Sequence, residues 1–345
     1  MKRIKVLHLL ATDRFSGAEN VVCQIIKMYK TDSHIQMVYC SPDGDIKDYL
    51  FSNKIAFLPL KKLSYNNLKK AIKEYKPDII HAHDIKASIL ASLFSKNIRV
   101  ISHIHGNSIE MRKFTAKSIL YNWSSKKISH IFWVSKSSLD DYKFKNSVVI
   151  KSTVLPNIID CKDILKSVTG SKKEWDIIFV GRIIKLKNPE RLLKIVSGVI
   201  EKRPTTKVAI VGTGDLESDL KESIINRKLE KNIKMLGFQK NPYKYMASSK
   251  IMILTSIYEG TPMAVLEAMS LGLPVVSTPI DGMKDLITNN VDGYLSDNDE
   301  ELVNNIVEIL NNDDKYKILS ENVLMKSKSI NDIKKYKNEL IKKYK

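Results

Sequence analysis

Two glutamates, Glu259 and Glu267, bracket the start of an apolar segment, EGTPMAVLE (259–267). Pro262 suits a first helical turn, Thr261 can cap it, and Gly272 stands where such a helix would end. Glu259 is then a loop residue at a helix N-terminus, and Glu267 lies about one and a half turns inside. Amides at 261–263 would offer an anion site. The two carboxylates could take hydroxyls on either side of that anion, the layout of ribose, diphosphate and sugar. The plainer arrangement makes Glu259 a favourable charge at a helix dipole and leaves Glu267 in solvent. Against it, Ala264, Val265, Leu266, Ala268 and Met269 surround Glu267 with apolar residues.

Other strand ends carry related chemistry. In GRIIKLKNPE (181–190), Arg182 and Lys187 can hold a diphosphate, Arg by paired bonds and Lys as a point charge. The same loop reads equally well as solvated and basic. GTGDLESDL (212–220) puts Gly212 and Gly214 in a tight strand-to-helix turn, but Glu217 occupies the third glycine position of a dinucleotide fingerprint, which makes it a poor NAD site. In ATDRFSGAEN (11–20), Gly17 precedes a helix whose amides could approach an anion. His81/His83 and His103/His105 alternate at the ends of adjacent strands. Imidazoles two apart share a strand face, so a metal is conceivable, but only Asp84 accompanies them as a further ligand type. The better reading turns one or two of them toward a ligand, His105 before Gly106 above all, and packs the rest.

The elements that must position these loops are short apolar runs alternating with helical patterns. Strands are expected at 4–10, 35–40, 78–83, 99–105, 128–135, 148–156, 175–181, 207–212, 232–238, 250–256 and 273–278. Their continuous apolar character suits parallel strands buried on both faces, and the alternation is the β-α-β rhythm of doubly wound sheets. With 345 residues, two such domains are the default. A polar stretch near 160–174 marks the linker, giving domains at 1–165 and 166–328 and a charged helix at 329–345. No run reaches the ~20 apolar residues of a membrane span. The start, MKRIKVLHLLAT, resembles a weak signal peptide but lacks a cleavage site and reads as a first strand. Cys23, Cys40 and Cys161, three and widely spaced, argue against a disulfide framework and for a reducing cytoplasm. Net charge is +19, with +13 carried by residues 1–165 and +6 by the remainder. Nucleic acid, a phosphorylated ligand or acidic lipid could each answer such a half; a Lys-rich genome accounts for part of the total.

Together these loops resemble the retaining glycosyltransferases of the GT-B fold, family 4, which includes bacterial capsule, exopolysaccharide and lipopolysaccharide enzymes. The resemblance runs over nearly the whole chain in the family's order. Glu259 and Glu267 fit its E-x7-E motif within YEGTPMAVLEAMSLGLPVVST; GRIIKLKN fits G-R-x4-K; VGTGD fits the glycine turn; MLGF fits the nucleobase-side loop with Gly237 and Phe238; LPNIID fits the domain-junction segment. FSGAEN and HIHG look like the N-terminal glycine loop and its His-Gly partner. The resemblance implies two Rossmann-like α/β domains facing across a cleft, with acceptor bound by the first and nucleotide sugar, UDP in most members, by the second. It implies transfer of a hexose with retention and with neither metal nor other cofactor. His105, Glu259, Arg182 and Lys187 become the reaction-centre residues. Gly17, Gly212, Gly214, Gly237, Phe238, Gly260, Thr261, Pro262, Met263, Ala264, Val265 and Glu267 become the donor-binding set. Ser16 departs from the family's first loop glycine, and Asn188 and Ile158 stand where Gly is common. Thr261 and Met263 shape the sugar pocket, so the donor sugar does not carry over.

The segment 107–130 interleaves Arg112, Lys113, Lys117, Lys126 and Lys127 with Met111, Phe114, Ile119, Leu120, Tyr121 and Trp123. That mixture suits a helix on an acidic membrane surface, the inner face of the cytoplasmic membrane for an enzyme with a lipid-linked or glycan acceptor. An ordinary core helix with a basic outer face is the alternative. A nucleotide-sugar epimerase or another GT-B enzyme is the second reading of the whole; nucleic-acid binding fails for want of a recognition motif or stacking platform.

Overall fold

In the computed structural model, residues 3–106, 108–168 and 172–345 are described. Among them, thirteen strands form two parallel sheets. The chain divides into two units, 1–158 with 333–345, and 159–332. The change of unit thus comes before the expected linker, part of which, 169–171, lies outside the described residues.

The N-terminal unit has strands β1 (Ile4–Leu10), β2 (Ile35–Pro42), β3 (Phe57–Leu60), β4 (Ile79–His83), β5 (Arg99–Ile104), β6 (His130–Trp133) and β7 (Ser152–Val154). Their order in space is β3-β2-β1-β4-β5-β6-β7. Between β1 and β4 the winding reverses, the place where open parallel sheets bind ligands beyond their carboxyl ends. Strand alternation sorts the side chains. Leu7, Leu9, Ile80, Ala82, Val100 and Ile104 enter one apolar cluster on one face. On the other face the register sets His8 beside His81 and His83 beside His103. The terminal helix Ile333–Tyr344 packs in this unit, where the Tyr29 hydroxyl donates to the Lys337 carbonyl at 2.8 Å and Arg99 donates to the Tyr344 carbonyl at 3.1 Å.

The second unit has strands β8 (Trp175–Val180), β9 (Val208–Val211), β10 (Ile233–Met235), β11 (Ser249–Leu254), β12 (Val275–Ser277) and β13 (Gly293–Leu295), ordered β10-β9-β8-β11-β12-β13. Its winding reverses between β8 and β11. The helix Pro189–Lys202 covers this sheet for legible reasons. Asn188 takes a left-handed φ of 53° and caps the Arg191 amide, Pro189 opens the first turn, and Glu190 and Lys202 complement the dipole. Leu192, Leu193, Ile195, Val196, Val199 and Ile200 are buried, each contributing about 1.5–3 kcal/mol as an upper figure. An acid at Ile195 would leave a charge in that layer and unfold it.

Two edge strands, β3 and β13, fall outside the sequence expectations. Pro59 within β3 cannot donate to a ladder and is tolerated because the strand lies at the edge; β13 is three residues long and starts on Gly293. The strand expected at 148–156 shrinks to Ser152–Val154, preceded by helical turns at Lys145–Val148 and Val149–Lys151. Its apolar residues Val149 and Ile150 are exposed, so the apolar run is not a buried strand.

Candidate active site

Two loops meet at the winding reversal of the second sheet. The β8 loop brings Lys187 to Glu259 on the β11 loop, and Nζ and Oε1 form an ion pair whose side chains are only 15% and 14% exposed. Ser256 Oγ donates to the same carboxylate oxygen at 2.8 Å, holding it from the other side. Hydroxyls stitch the loops together beneath: Thr255 Oγ1 donates to the carbonyls of Lys187 at 3.0 Å and Asn188 at 3.1 Å. Thr278 Oγ1 donates to the Ser256 carbonyl at 3.0 Å, and the Ile257 amide to the Leu186 carbonyl at 2.9 Å. Arg182, on the β8 loop, is exposed.

The helix after the second loop starts at Met263, not at Pro262. Pro262 itself is the cap residue, with extended backbone and no side-chain cap. Thr261 is therefore not the N-cap, because Pro262 keeps ψ at 118°, which ends the extended segment one residue later. The consequence favours a ligand: Pro262 has no side-chain acceptor to offer the first amides of the helix, at Met263 and Ala264. Gly272 closes the helix as expected, at φ +71°. Glu267 is 6% exposed and accepts the Tyr243 hydroxyl at 3.4 Å, which settles the choice between a solvated and a buried acid.

Glycines set how close the backbones come. A Cβ on Gly212, whose φ is +138°, would lie 1.9 Å from the Gly181 carbonyl oxygen, and one on Gly214 would lie 2.3 Å from that of Ile183. So the β9 turn presses against the β8 loop. Gly237, left-handed, accepts the Gly212 amide through its carbonyl at 2.8 Å and leaves Phe238 exposed beside it. Gly260 is buried against Gly282, where a Cβ would stand 1.5 Å from the Gly260 oxygen. Met263 and Val265 are buried and Ala264 half-buried.

The N-terminal unit gathers its own polar group at the reversal between β1 and β4. Gly17 opens the helix Gly17–Met28 and has open space over its Cα. Glu19 is drawn down between Thr12 and Ser16, whose hydroxyls donate to it at 2.5 Å each. Asp84 caps the helix Ile85–Ser92 at 2.8 Å to the Ala87 amide and takes the Ala11 amide at 3.1 Å. Its φ of 110° is a region other residues leave to glycine, and burial pushes its carboxyl up to about 6. His81, His83 and His103 are fully buried and His105 half-buried. Burial holds His105 neutral, lowered to about 3.

Residues 162–324 match the family described as glycosyl transferases group 1, and residues 15–163 the one described as Glycosyltransferase Family 4. The chain belongs to the family 4 glycosyltransferases. The glycosyltransferase is 27% identical over 355 residues to a UDP-Gal:alpha-D-GlcNAc-diphosphoundecaprenol alpha-1,3-galactosyltransferase of Escherichia coli, covering 93% of this chain and 91% of that one. CapH of Staphylococcus aureus, a capsular polysaccharide biosynthesis glycosyltransferase, is 27% identical over 80% of this chain and 82% of its own. Anabaena HepE, solved in complex with UDP-glucose, superposes with a TM-score of 0.84 at 20% identity over 99% of both chains. That likeness places the fold as GT-B.

Several residues of the candidate site carry little sequence signal. Ser256, Thr255 and Thr278 sit at strand ends in LTS and ST runs that look like any loop polarity. Gly282 is one glycine among 13. His8 lies inside a strand, away from the paired histidines, and only the β1–β4 register brings it to them.

Proposed function

We propose that this glycosyltransferase moves a hexose from a UDP-sugar to a lipid-linked or glycan acceptor, with retention and with no divalent cation on the diphosphate. The Lys187–Glu259 pair at the sheet reversal, beside an uncapped helix N-terminus, carries the reading. Lys187, exposed Arg182 and the amides of Thr261, Met263 and Ala264 take the negative charge that grows on the departing nucleoside diphosphate, the main electrostatic demand of the step. Two side-chain cations and a helix dipole do there what a metal ion does in other transferases. Glu259, fixed by Ser256, faces the transferred sugar, and Glu267 takes the ribose hydroxyls. Gly212, Gly214, Gly237, Phe238, Gly260, Thr261, Pro262 and Met263 shape the donor wall. On the N-terminal unit, Gly17 serves phosphate, and family resemblance assigns His105 to the reaction centre. The printed donor and acceptor of the Escherichia coli relative, UDP-Gal and a diphosphoundecaprenol-linked saccharide, support the substrate classes.

The acceptor class is supported by the surface of the helix Ala116–Ser125 and its neighbours. Ile119, Leu120, Trp123 and Phe114 are exposed there, Ile150 by 97%. Lys127 lies 4.5 Å over the Trp123 ring and Lys143 4.3 Å over Phe114. Apolar side chains ringed by cations fit anionic headgroups, which supports a peripheral position at the inner face of the cytoplasmic membrane. Among the described residues, no helix is long and apolar enough to cross a membrane. Assay of UDP release with and without acceptor tests the reading. Acceptor-dependent release, intact in EDTA, supports it; donor isomerisation without acceptor points to an epimerase instead.

A further inference from the structure

Three imidazoles of the N-terminal unit form an unbroken chain of ring-nitrogen contacts. His8 Nδ1 stands 2.8 Å from His83 Nε2, and His83 Nδ1 stands 2.9 Å from His105 Nε2. At one end His8 Nε2 lies 3.4 Å from Met37 Sδ. At the other, His105 Nδ1 is buried with no hydrogen-bond partner among the described residues. Burial holds all three rings neutral, His8 and His105 lowered to about 3 and His83 well below its ordinary value. A neutral imidazole has one N–H and one lone pair, so each contact needs one of each.

The methionine decides the direction. A thioether carries no proton and can only accept, weakly. His8 Nε2 therefore holds the proton, and its Nδ1 is a lone pair that needs an N–H from His83 Nε2. His83 Nδ1 is then a lone pair that needs an N–H from His105 Nε2, and His105 Nδ1 is left unprotonated. The opposite direction would set the His8 lone pair against sulfur lone pairs and bury an unsatisfied N–H at His105, the costlier orphan. We infer that Met37, acting through His8 and His83, fixes His105 as its Nε2–H tautomer, so that its Nδ1 is a lone pair that can only accept and the ring has no further proton to donate. Met37, His8 and His83 are positioning residues. The chain of tautomers is a property of this unit alone; its bearing on transfer rests on the role proposed above for His105.

A metal ion is the competing occupant, because His8, His81 and His83, and again His83, His103 and His105, bring ring nitrogens within 4.8 Å. The separations decide against it. Two nitrogens bound to one tetrahedral zinc at about 2.0–2.1 Å sit about 3.3 Å apart. The 2.8 and 2.9 Å separations are hydrogen-bond lengths.

Long-range 15N–1H correlation spectra of the ligand-free, 15N-labelled protein report which nitrogen of each ring is protonated. The expected result is an Nε2–H pattern at His8, His83 and His105. Met37→Leu should move the His8 and His105 resonances toward the average of the two tautomers with circular dichroism unchanged. An Nδ1–H pattern at any of the three rings in the wild type overturns the inference. So does loss of the ring protons to equimolar zinc. Resonances unmoved in a folded Met37→Leu variant remove Met37 from the chain. No nucleotide sugar enters this experiment, so the tautomer chain can fail with transfer intact, and transfer can fail with the chain intact.

Discussion

Lys187 and Glu259 are the pair on which the proposed donor site turns, and their burial sets how much each depends on the other. A largely buried ion pair is worth little as net stability but leaves an uncompensated charge when one partner goes. Lys187→Met and Glu259→Gln should each destabilise the protein, and the double variant should recover part of the loss. A coupling of roughly 1–3 kcal/mol is expected from a urea double-mutant cycle; strict additivity would mean the pair is not formed. Glu267 belongs to a different balance. It is held by helix and Tyr243, so its removal should spare the fold and weaken nucleotide binding roughly ten- to a hundredfold, the weight of hydrogen bonds to a charged group, as titration calorimetry with UDP would read. Both glutamates were legible from type and spacing, because an acid among apolar helix residues is rare without a task. Ser256 and Thr278 were not, since a hydroxyl is equally at home in solvent and only the loop path shows which carboxylate or carbonyl it meets.

At the scale of elements, the turns are set by backbone contact as much as by side chains. Gly212→Ala would drive a methyl into the Gly181 carbonyl, and Gly282→Ala one into that of Gly260. Each should cost at least about 2 kcal/mol in urea denaturation, with nucleotide affinity falling alongside; a neutral alanine at either position would show that the loops are not in contact. The glycine turn itself stood out in the sequence, but its partner did not, since nothing local ties 212 to 181. The exposed face of the helix Ala116–Ser125 makes its own prediction. Trp123→Ala with Leu120→Ala should reduce co-sedimentation with anionic liposomes several-fold and leave UDP affinity unchanged, each buried apolar side chain counting for about 1.5–3 kcal/mol. Unaltered sedimentation would remove this face from membrane contact. Central strands were found because apolar runs of that length must be buried on both faces. Edge strands β3 and β13 were missed because a short strand with a proline or a glycine has too little apolar signal to separate it from a turn.

For the whole molecule, the histidine face of the first sheet fixes a direction of pH dependence. His8, His81, His83, His103 and His105 all have pKa values lowered by burial, His8 and His105 to about 3. Below pH ~6.5 the unfolded chain takes up protons there that the folded protein refuses, so stability falls as pH drops through that value. Each ring contributes up to about 1.4 kcal/mol per pH unit. Asp84 opposes them, because its carboxyl is raised to about 6 and its share of stability falls as pH rises from the ordinary carboxylate range toward that value. His130, lowered by burial to about 4, acts in the same sense, so the histidines outnumber Asp84 and win. Urea midpoints should decline steeply from pH 7 to pH 5, and a flat profile would mean the rings are hydrated in solution.

The central claim is that the second unit holds a nucleotide-sugar diphosphate with side-chain cations and helix amides instead of a metal ion. The most direct measurement is thermal unfolding in EDTA with a panel of nucleotide sugars, on the wild type and on Arg182→Ala/Lys187→Ala. A UDP-sugar should raise the wild-type midpoint by several degrees in EDTA and leave the double variant, whose ligand-free midpoint is lower because Glu259 has lost its partner, unmoved from that lower value. Stabilisation of both proteins alike, or of the wild type only when magnesium or manganese is added, would contradict the account.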